Sequence, residues 1–193
     1  MLHDNAVIIA GGKSSRMGKD KALLPFGNFD SLAQFQHSRL KKLFNQVYIS
    51  TKENKFDFEV ELIYDRYDDS SPLVALLSIF ETLGVESVFV LSVDAPFVSE
   101  EVIAYLLKED KKEIDVIIAK SPSGEQPLCG LYKKSILSAV QAQYKKGNHK
   151  LGDLLNLVNT KRLAFEADAP FANLNHPEEY ESALKINFYQ AFP

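Results

Sequence analysis

The sequence contains little of what marks secreted, membrane-spanning or nucleic-acid-binding proteins. A single cysteine, Cys129, excludes a disulfide within the chain and favours a reducing compartment. No apolar run approaches the roughly 18 residues needed to cross a bilayer, and no basic stretch precedes an apolar run as in a signal peptide. The net charge of −4 is not that of a general nucleic-acid binder. These absences predict a cytoplasmic protein with no membrane and no nucleic-acid partner.

Repeats, low-complexity tracts and linkers rich in proline or serine are also absent, so no feature of the sequence divides the chain. Its 193 residues, 46% hydrophobic and 25% charged, suit one domain with a full core. We therefore predict a single domain over residues 1–193.

Residues 6–21, AVIIAGGKSSRMGKDK, join an apolar run typical of a buried strand to a loop of glycines and cations. Glycines let backbone N–H groups approach an anion closely and the cations neutralise it, so we expect a polyphosphate ligand. A Walker loop is excluded because Lys19 is followed by Asp20. The adjacent Gly11 and Gly12 exclude the dinucleotide fingerprint. The alternative is a glycine-rich turn with solvated cations.

The pattern A-G-G-x-S-x-R-M-G-x-D-K-A at 10–22 resembles the signature of nucleotidyltransferases that activate a substrate with a nucleoside triphosphate. Its Arg-Met-Gly-x-Asp-Lys part resembles the molybdenum cofactor guanylyltransferases. A second match, Asn-x-Asn-x-Pro-Glu-Glu at 173–179, resembles the closing motif of the same family. The resemblance implies a three-layer, Rossmann-like α/β fold, in which a mostly parallel twisted sheet with one antiparallel strand carries helices on both faces.

Two carboxylates follow predicted strands. Asp94 follows the apolar run 87–93, which we expect to be central and buried on both faces, and Asp65 follows a shorter strand. Open α/β sheets bind ligands at the carboxyl ends of their strands, and hard cations take carboxylate ligands, so Asp94 is our candidate ligand for Mg²⁺. The alternatives are a turn before a helix capped by Ser99, and a solvated loop for the acidic residues after Asp65.

The resemblance also implies an activity and a set of residues. GMP would pass from GTP to the terminal phosphate of molybdopterin, giving the guanine dinucleotide cofactor and pyrophosphate, with Mg²⁺ as cofactor. The implied catalytic residues are Arg16, Lys21 and Asp94, of which Asp94 holds the metal. The implied nucleotide-binding residues are Ile9, Ala10, Gly11, Gly12, Lys21, Asp65 and Asp94. The implied acceptor-binding residues are His149, Lys150, Asn173 and Asn175.

Other segments bear on the site less directly. Residues 124–132 predict a loop that feeds a strand, and Ser71 predicts the cap of a helix that ends at Gly84. Cys129 is read as a core residue rather than a nucleophile, because its neighbours are apolar and no histidine lies near it in sequence.

One departure from the family pattern stands out. The family usually carries Gly-Pro-Leu-x-Gly where Ser71 and Ala75 occupy the glycine positions of this chain, which bears on the acceptor assignment more than on the nucleotide one. The rival interpretations are a cytidylyltransferase acting on the same pterin, another NTP-dependent nucleotidyltransferase such as a sugar-phosphate enzyme, and a non-catalytic GTP-binding carrier of the cofactor. Cofactor-delivery or molybdoenzyme chaperone proteins are further partners that the resemblance implies.

Overall fold

The computed structural model of the chain describes residues 3–11 and 20–185, which form a seven-stranded sheet with helices packed against it. The strands are β1 (His3–Ile9), β2 (Phe44–Thr51), β3 (Glu61–Tyr64), β4 (Ser87–Ser92), β5 (Val116–Ser121), β6 (Gly124–Lys133) and β7 (Thr160–Ala164). The helices are α1 (Leu32–Leu40), α2 (Pro72–Leu83), α3 (Glu100–Lys108), α4 (Leu137–Lys145), α5 (Leu151–Leu157) and α6 (Pro177–Leu184). Short 3₁₀ turns lie at Lys21–Leu23, Lys134–Ile136 and Ala169–Phe171.

The strand order across the sheet is β3-β2-β1-β4-β6-β5-β7. β1 pairs in parallel with β2 and β4, β2 with β3, and β5 with β7. β6 lies between β4 and β5 and runs antiparallel to both. The predicted fold class, a mostly parallel sheet with one antiparallel strand, is confirmed.

Side chains alternate between the two faces of the sheet, as the pleat requires. Ala6 and Ile8 of β1 pack in one core with α1 and α3, whereas Val7 and Ile9 pack in a second core with α2, α4 and α5. The central strand β4 contributes to both cores. Phe89 lies in the first core, and the residues directly before and after it lie in the second. The prediction of helices on both faces, with 87–93 buried between them, is confirmed.

The predicted ends of α2 are confirmed as well. Ser71 Oγ accepts a hydrogen bond from Val74 N at 3.2 Å, and Pro72 occupies the first helical position, where its missing N–H costs nothing. Gly84 ends the helix in the left-handed region with φ 64°, which glycine adopts without steric cost.

The prediction of a loop at the start of 124–132 is wrong, because β6 is extended from Gly124 onward. The strand instead contains an irregularity: Ile118 of β5 pairs with Gly130, but its neighbour Ala119 pairs with Gln126. Residues 127–129 therefore leave the β5 ladder, and the proline among them gives up no ladder hydrogen bond to that strand. In the part of the chain that the structure describes, no helix combines the length and apolar character that crossing a membrane requires.

Candidate active site

The carboxyl ends of β1, β3 and β4 meet at one edge of the sheet, which brings the residues after each strand together. Ala10 N donates to Ser50 O at 2.9 Å, and Val93 N donates to Ile9 O at 3.1 Å. Asp65 N donates to Thr51 O at 3.1 Å. Ile9, Ala10, Gly11, Asp65 and Asp94 therefore lie along the same edge, and Asp65 and Asp94 follow strands as predicted.

Lys21 reaches this edge from the 3₁₀ turn that it begins. Its Nζ lies 3.3 Å from Asp94 Oδ2 and donates to Asn175 Oδ1 at 2.7 Å. The Lys21 and Asp94 side chains are only 15% and 19% exposed, so solvent screens the pair weakly. A cation that can neutralise a phosphate and a carboxylate that can bind a metal ion thus lie side by side.

Asp94 is held from two directions. Ser92 Oγ donates to Asp94 Oδ1 at 2.6 Å, and Leu174 N donates to the Asp94 carbonyl at 2.9 Å. The second contact brings the closing motif, 173–179, against the end of β4. Lys21 of the first motif and the closing motif therefore lie together at the end of the central strand.

Glu179 fixes the closing motif at the start of α6. Its Oε2 accepts from Asn175 N at 2.6 Å and from His176 N at 2.8 Å. The hydrogen bond from His176 N makes the largest contribution to lowering the pKa of the Glu179 carboxyl, and the one from Asn175 N acts in the same direction. The Glu179 carboxylate thus fixes the backbone of Asn175, whose side chain accepts a hydrogen bond from Lys21.

Asp65 lies against the backbone at the end of β1. A methyl group on Gly11 would lie 3.6 Å from Asp65 Oδ2. Burial raises the pKa of Asp65, while nearby Lys52 and the Ser50 hydroxyl act in the opposite direction. Asp65 Oδ1 is buried and, among the described residues, has no hydrogen-bond partner. A buried acceptor of this kind favours a ligand that brings an N–H or O–H donor.

Lys55 contacts the two ends of the predicted phosphate loop, at Ala10 and at Asp20. Its Nζ forms a short ion pair with Asp20 and donates to the Ala10 carbonyl at 3.3 Å. Asp20 in turn accepts from Ala22 N at 3.0 Å and so caps the turn that carries Lys21. Two predicted site residues within this loop, Gly12 and Arg16, lie outside the described residues.

A cavity of about 440 Å³ opens beside Asp94. His149 and Asn173 line it, whereas Lys150 and Asn175 are not among its lining residues. The structure therefore divides the four predicted acceptor residues: two face the cavity, Asn175 holds Lys21, and Lys150 precedes α5 with an exposed side chain.

Ser71, which stands at a family glycine, lies next to this cavity. It adopts an extended backbone, φ −155° and ψ 159°, which does not require glycine. Its Oγ also lies 3.2 Å from His149 Nδ1. The replacement thus adds a polar contact to a residue of the cavity wall.

Cys129 lines the cavity but is only 3% exposed. Burial raises the pKa of its thiol to about 12, so almost none of it is the reactive thiolate at neutral pH. This agrees with the prediction that Cys129 is a core residue.

Two polar residues on the inner face of α1 were not predicted from the sequence. Gln36 and Arg39 are 0% and 6% exposed, and both donate to carbonyls around Asp94. The signal was present: residues 36 and 39 fall at helical spacing from Leu32 and Leu40, on the face that the apolar residues mark as buried. Ser92 and Glu179, which hold Asp94 and Asn175, were also missed.

Comparison with known proteins identifies the class of protein to which this chain belongs. A family model described as a MobA-like NTP transferase domain matches residues 6–164, so the chain is a nucleotidyltransferase by family. A molybdenum cofactor guanylyltransferase from Campylobacter jejuni subsp. doylei is 42% identical over 179 residues, covering 92% of this chain and 93% of the relative. One from Helicobacter pylori is 36% identical over 186 residues, with coverage of 93% and 91%. The chain belongs to the molybdenum cofactor guanylyltransferase family, as its motifs predicted.

A solved structure agrees on the fold. The molybdopterin-guanine dinucleotide biosynthesis protein A from Archaeoglobus fulgidus superposes with a TM-score of 0.80. The match covers 96% of this chain and 99% of the other at 21% identity. At that identity the likeness establishes the shared Rossmann-like architecture.

Proposed function

We propose that the chain transfers GMP from GTP to the terminal phosphate of molybdopterin, forming molybdopterin guanine dinucleotide and pyrophosphate. The observation that carries the proposal is the shielded Lys21–Asp94 pair, 3.3 Å apart at the end of the central strand and tied to both family motifs. Membership of the family, with relatives named molybdenum cofactor guanylyltransferase, supports the choice of reaction.

The reaction needs no covalent enzyme intermediate, because the acceptor phosphate attacks the α-phosphate of GTP directly. Catalysis then rests on positioning and on stabilising charge. Lys21 would neutralise the triphosphate, and the exposed backbone at Gly11 would approach it. Asp65, whose Oδ1 has no hydrogen-bond partner within residues 3–11 and 20–185, would accept from guanine N1–H or N2–H, or from a ribose hydroxyl. Gly12 and Arg16 keep their predicted phosphate-binding roles in this proposal.

The donor set at Asp94 fits Mg²⁺ in this role. Among the described residues no group of three or more His, Cys, Asp or Glu side chains is arranged to hold a metal. Asp94 offers a carboxylate at a strand end, which suits a Mg²⁺ ion that takes its other ligands from phosphate oxygens and water. When bound, the ion offsets the charge on the α-phosphate and the departing pyrophosphate.

The cavity beside Asp94 would receive the pterin. His149 and Asn173 line it and offer polar contacts to that acceptor, and its position next to Asp94 lets a terminal phosphate approach the GTP site. We keep Lys150 as a weaker candidate and assign Asn175 mainly to Lys21.

The surroundings of the reaction are also proposals. We place the protein in the cytoplasm as a single domain, with GTP and molybdopterin as its ligands. Cofactor-delivery or molybdoenzyme chaperone proteins would take the product onward.

Thermal stability with GTP, CTP, ATP and UTP, each with and without Mg²⁺, tests the nucleotide half of the proposal. A ligand at about a hundred times its dissociation constant adds roughly 2.7 kcal/mol, or a rise in melting temperature of roughly 5–11 °C for a domain of this size. We expect a selective, Mg²⁺-dependent rise with GTP. A rise with CTP alone would instead favour the cytidylyltransferase, and no rise with any nucleotide would contradict the proposal.

A further inference from the structure

The loop that carries Asp94, residues 92–98, is buried without forming a helix or strand beyond Ser92. Val93, Ala95 and Val98 are 7%, 5% and 0% exposed. Buried carbonyls must find donors, and this loop cannot supply them by regular secondary structure. The donors come mainly from one helix, α1.

Gln36 supplies the first group of donors. Its Nε2 lies 3.0 Å from the Ala95 carbonyl and 3.4 Å from the carbonyls of Ser92 and Val93. The amide thus sits inside the turn around Asp94 and contacts the backbone on both sides of it.

Arg39 continues the network one turn further along α1. Its Nη1 donates to Pro96 O at 3.1 Å and to Val98 O at 2.5 Å, and its Nη2 donates to Gln36 Oε1 at 2.8 Å. Burial lowers the pKa of Arg39 to about 10, so the guanidinium stays charged at neutral pH. With Leu174 N on the Asp94 carbonyl, every carbonyl from residue 92 to 96 has a donor.

Burying a cation on a helix face is unfavourable, because removing a charged group from water costs more free energy than removing an apolar one. The pair therefore calls for a reason beyond packing. Among the described residues, the five carbonyl oxygens that accept from these two side chains belong to the Asp94 loop, and a further hydrogen bond joins the two side chains to each other.

We propose that Gln36 and Arg39 are positioning residues that fix the Asp94 loop, and so set the affinity of the site for the metal–GTP complex. The inference rests on the proposed function, since it takes Asp94 as the metal ligand. Neither side chain lines the cavity beside Asp94. Both act through the backbone that aims the carboxylate at Lys21 and the phosphates.

The test is equilibrium binding of GTP as a function of Mn²⁺ and of Mg²⁺ concentration, measured by calorimetry on the full chain. The variants are Arg39→Met and Gln36→Leu, and Arg39→Lys is an intermediate variant that keeps the buried charge but loses part of the hydrogen bonding of the guanidinium. Leu40→Val, a fully buried position on the same helix outside the network, is the control for lost stability. Melting temperature and the metal dependence of kcat and KM are recorded in parallel.

Mutating the residues that support the ligands of a metal site commonly lowers the metal affinity by about tenfold or more. We expect Arg39→Met and Gln36→Leu to raise the metal concentration for half-maximal GTP binding about tenfold. Arg39→Lys should shift it less, and Leu40→Val should lower the melting temperature without shifting it.

Equal metal dependence in wild type, Arg39→Met and Gln36→Leu would overturn the positioning role and leave the proposed function intact. Absence of metal-dependent GTP binding by the wild type would overturn the proposed function itself and, with it, this inference. If Arg39→Met or Gln36→Leu does not fold, Arg39→Lys decides, because it keeps the buried charge: a metal dependence like that of Leu40→Val overturns the role.

Discussion

Two glycine-to-alanine substitutions should change stability in opposite directions. A Cβ on Gly130 of β6 would lie 2.2 Å from the Ile117 carbonyl oxygen and 2.9 Å from Ile118 Cγ2. Neither distance is tolerable, and the oxygen belongs to the neighbouring strand backbone, so β5 and β6 must separate. A Cβ on Gly152, which lies in α5, would meet nothing within 4 Å.

The magnitudes follow from these surroundings. Restoring normal contact at Gly130 requires a shift of roughly 1 Å in a paired strand, and overpacking of this kind costs about 3 kcal/mol. For a domain of this size that corresponds to a fall in melting temperature of roughly 6–12 °C. Gly152→Ala removes backbone entropy from the unfolded chain and should stabilise by up to about 1 kcal/mol.

Urea unfolding followed by far-UV circular dichroism measures both changes. We expect the midpoint of Gly130→Ala to fall and that of Gly152→Ala to stay or rise, with similar slopes. A Gly130→Ala protein within about 0.5 kcal/mol of wild type, or two variants shifted alike, would refute the β5–β6 packing described above.

Three further predictions concern single side chains. Burial raises the pKa of Asp65, so ionisation costs stability above the pKa of an unfolded Asp, about 3.9, and Asp65→Asn should raise the melting temperature at neutral pH while weakening GTP binding. With a thiol pKa of about 12, native Cys129 should react with iodoacetamide at pH 8 about a thousandfold more slowly than the urea-unfolded chain. Backbone donors lower the pKa of Glu179, so its carboxylate stabilises the fold above the unfolded pKa, and this stabilisation is lost as the pH falls through the folded pKa. Glu179→Gln should therefore destabilise the protein at pH 7 and cease to do so at acid pH, once the wild-type carboxyl is protonated.

Each of these has a result that contradicts it. If Asp65→Asn melts below the wild type at pH 7, the ionised Asp65 carboxylate stabilises the folded protein, which contradicts a pKa raised by burial. Alkylation of native Cys129 at the unfolded rate, followed by mass spectrometry, would place the thiol in contact with solvent. A constant difference between Glu179→Gln and wild type across the pH range would show that the carboxylate charge does not matter.

The sequence predicted the fold well where one signal dominated. The apolar run at 87–93 could only be a central strand, and Ser71 with Pro72 and Gly84 marked both ends of α2. It failed at 124–127, where glycine, charge and proline imitate a loop. Residues 124–126 are extended because they pair with the end of β5, and the irregularity at 127–129 keeps Pro127 out of that ladder.

The site was less predictable, because its geometry depends on contacts between distant segments. The resemblance grouped Asn173 and Asn175 as acceptor-binding residues, but their division between the cavity and Lys21 follows from how the closing motif contacts Asp94. Gln36 and Arg39 carried a readable signal, two polar residues on an apolar face, yet nothing in α1 itself indicates which loop they hold.

The most direct test is product formation from GTP and molybdopterin with Mg²⁺, followed by mass spectrometry and pyrophosphate release, for wild type and Asp94→Ala. We expect the wild type to form the guanine dinucleotide and an equal amount of pyrophosphate, and Asp94→Ala to turn over more slowly by orders of magnitude. No product from the folded wild type, or an Asp94→Ala protein that turns over at the wild-type rate, would contradict it.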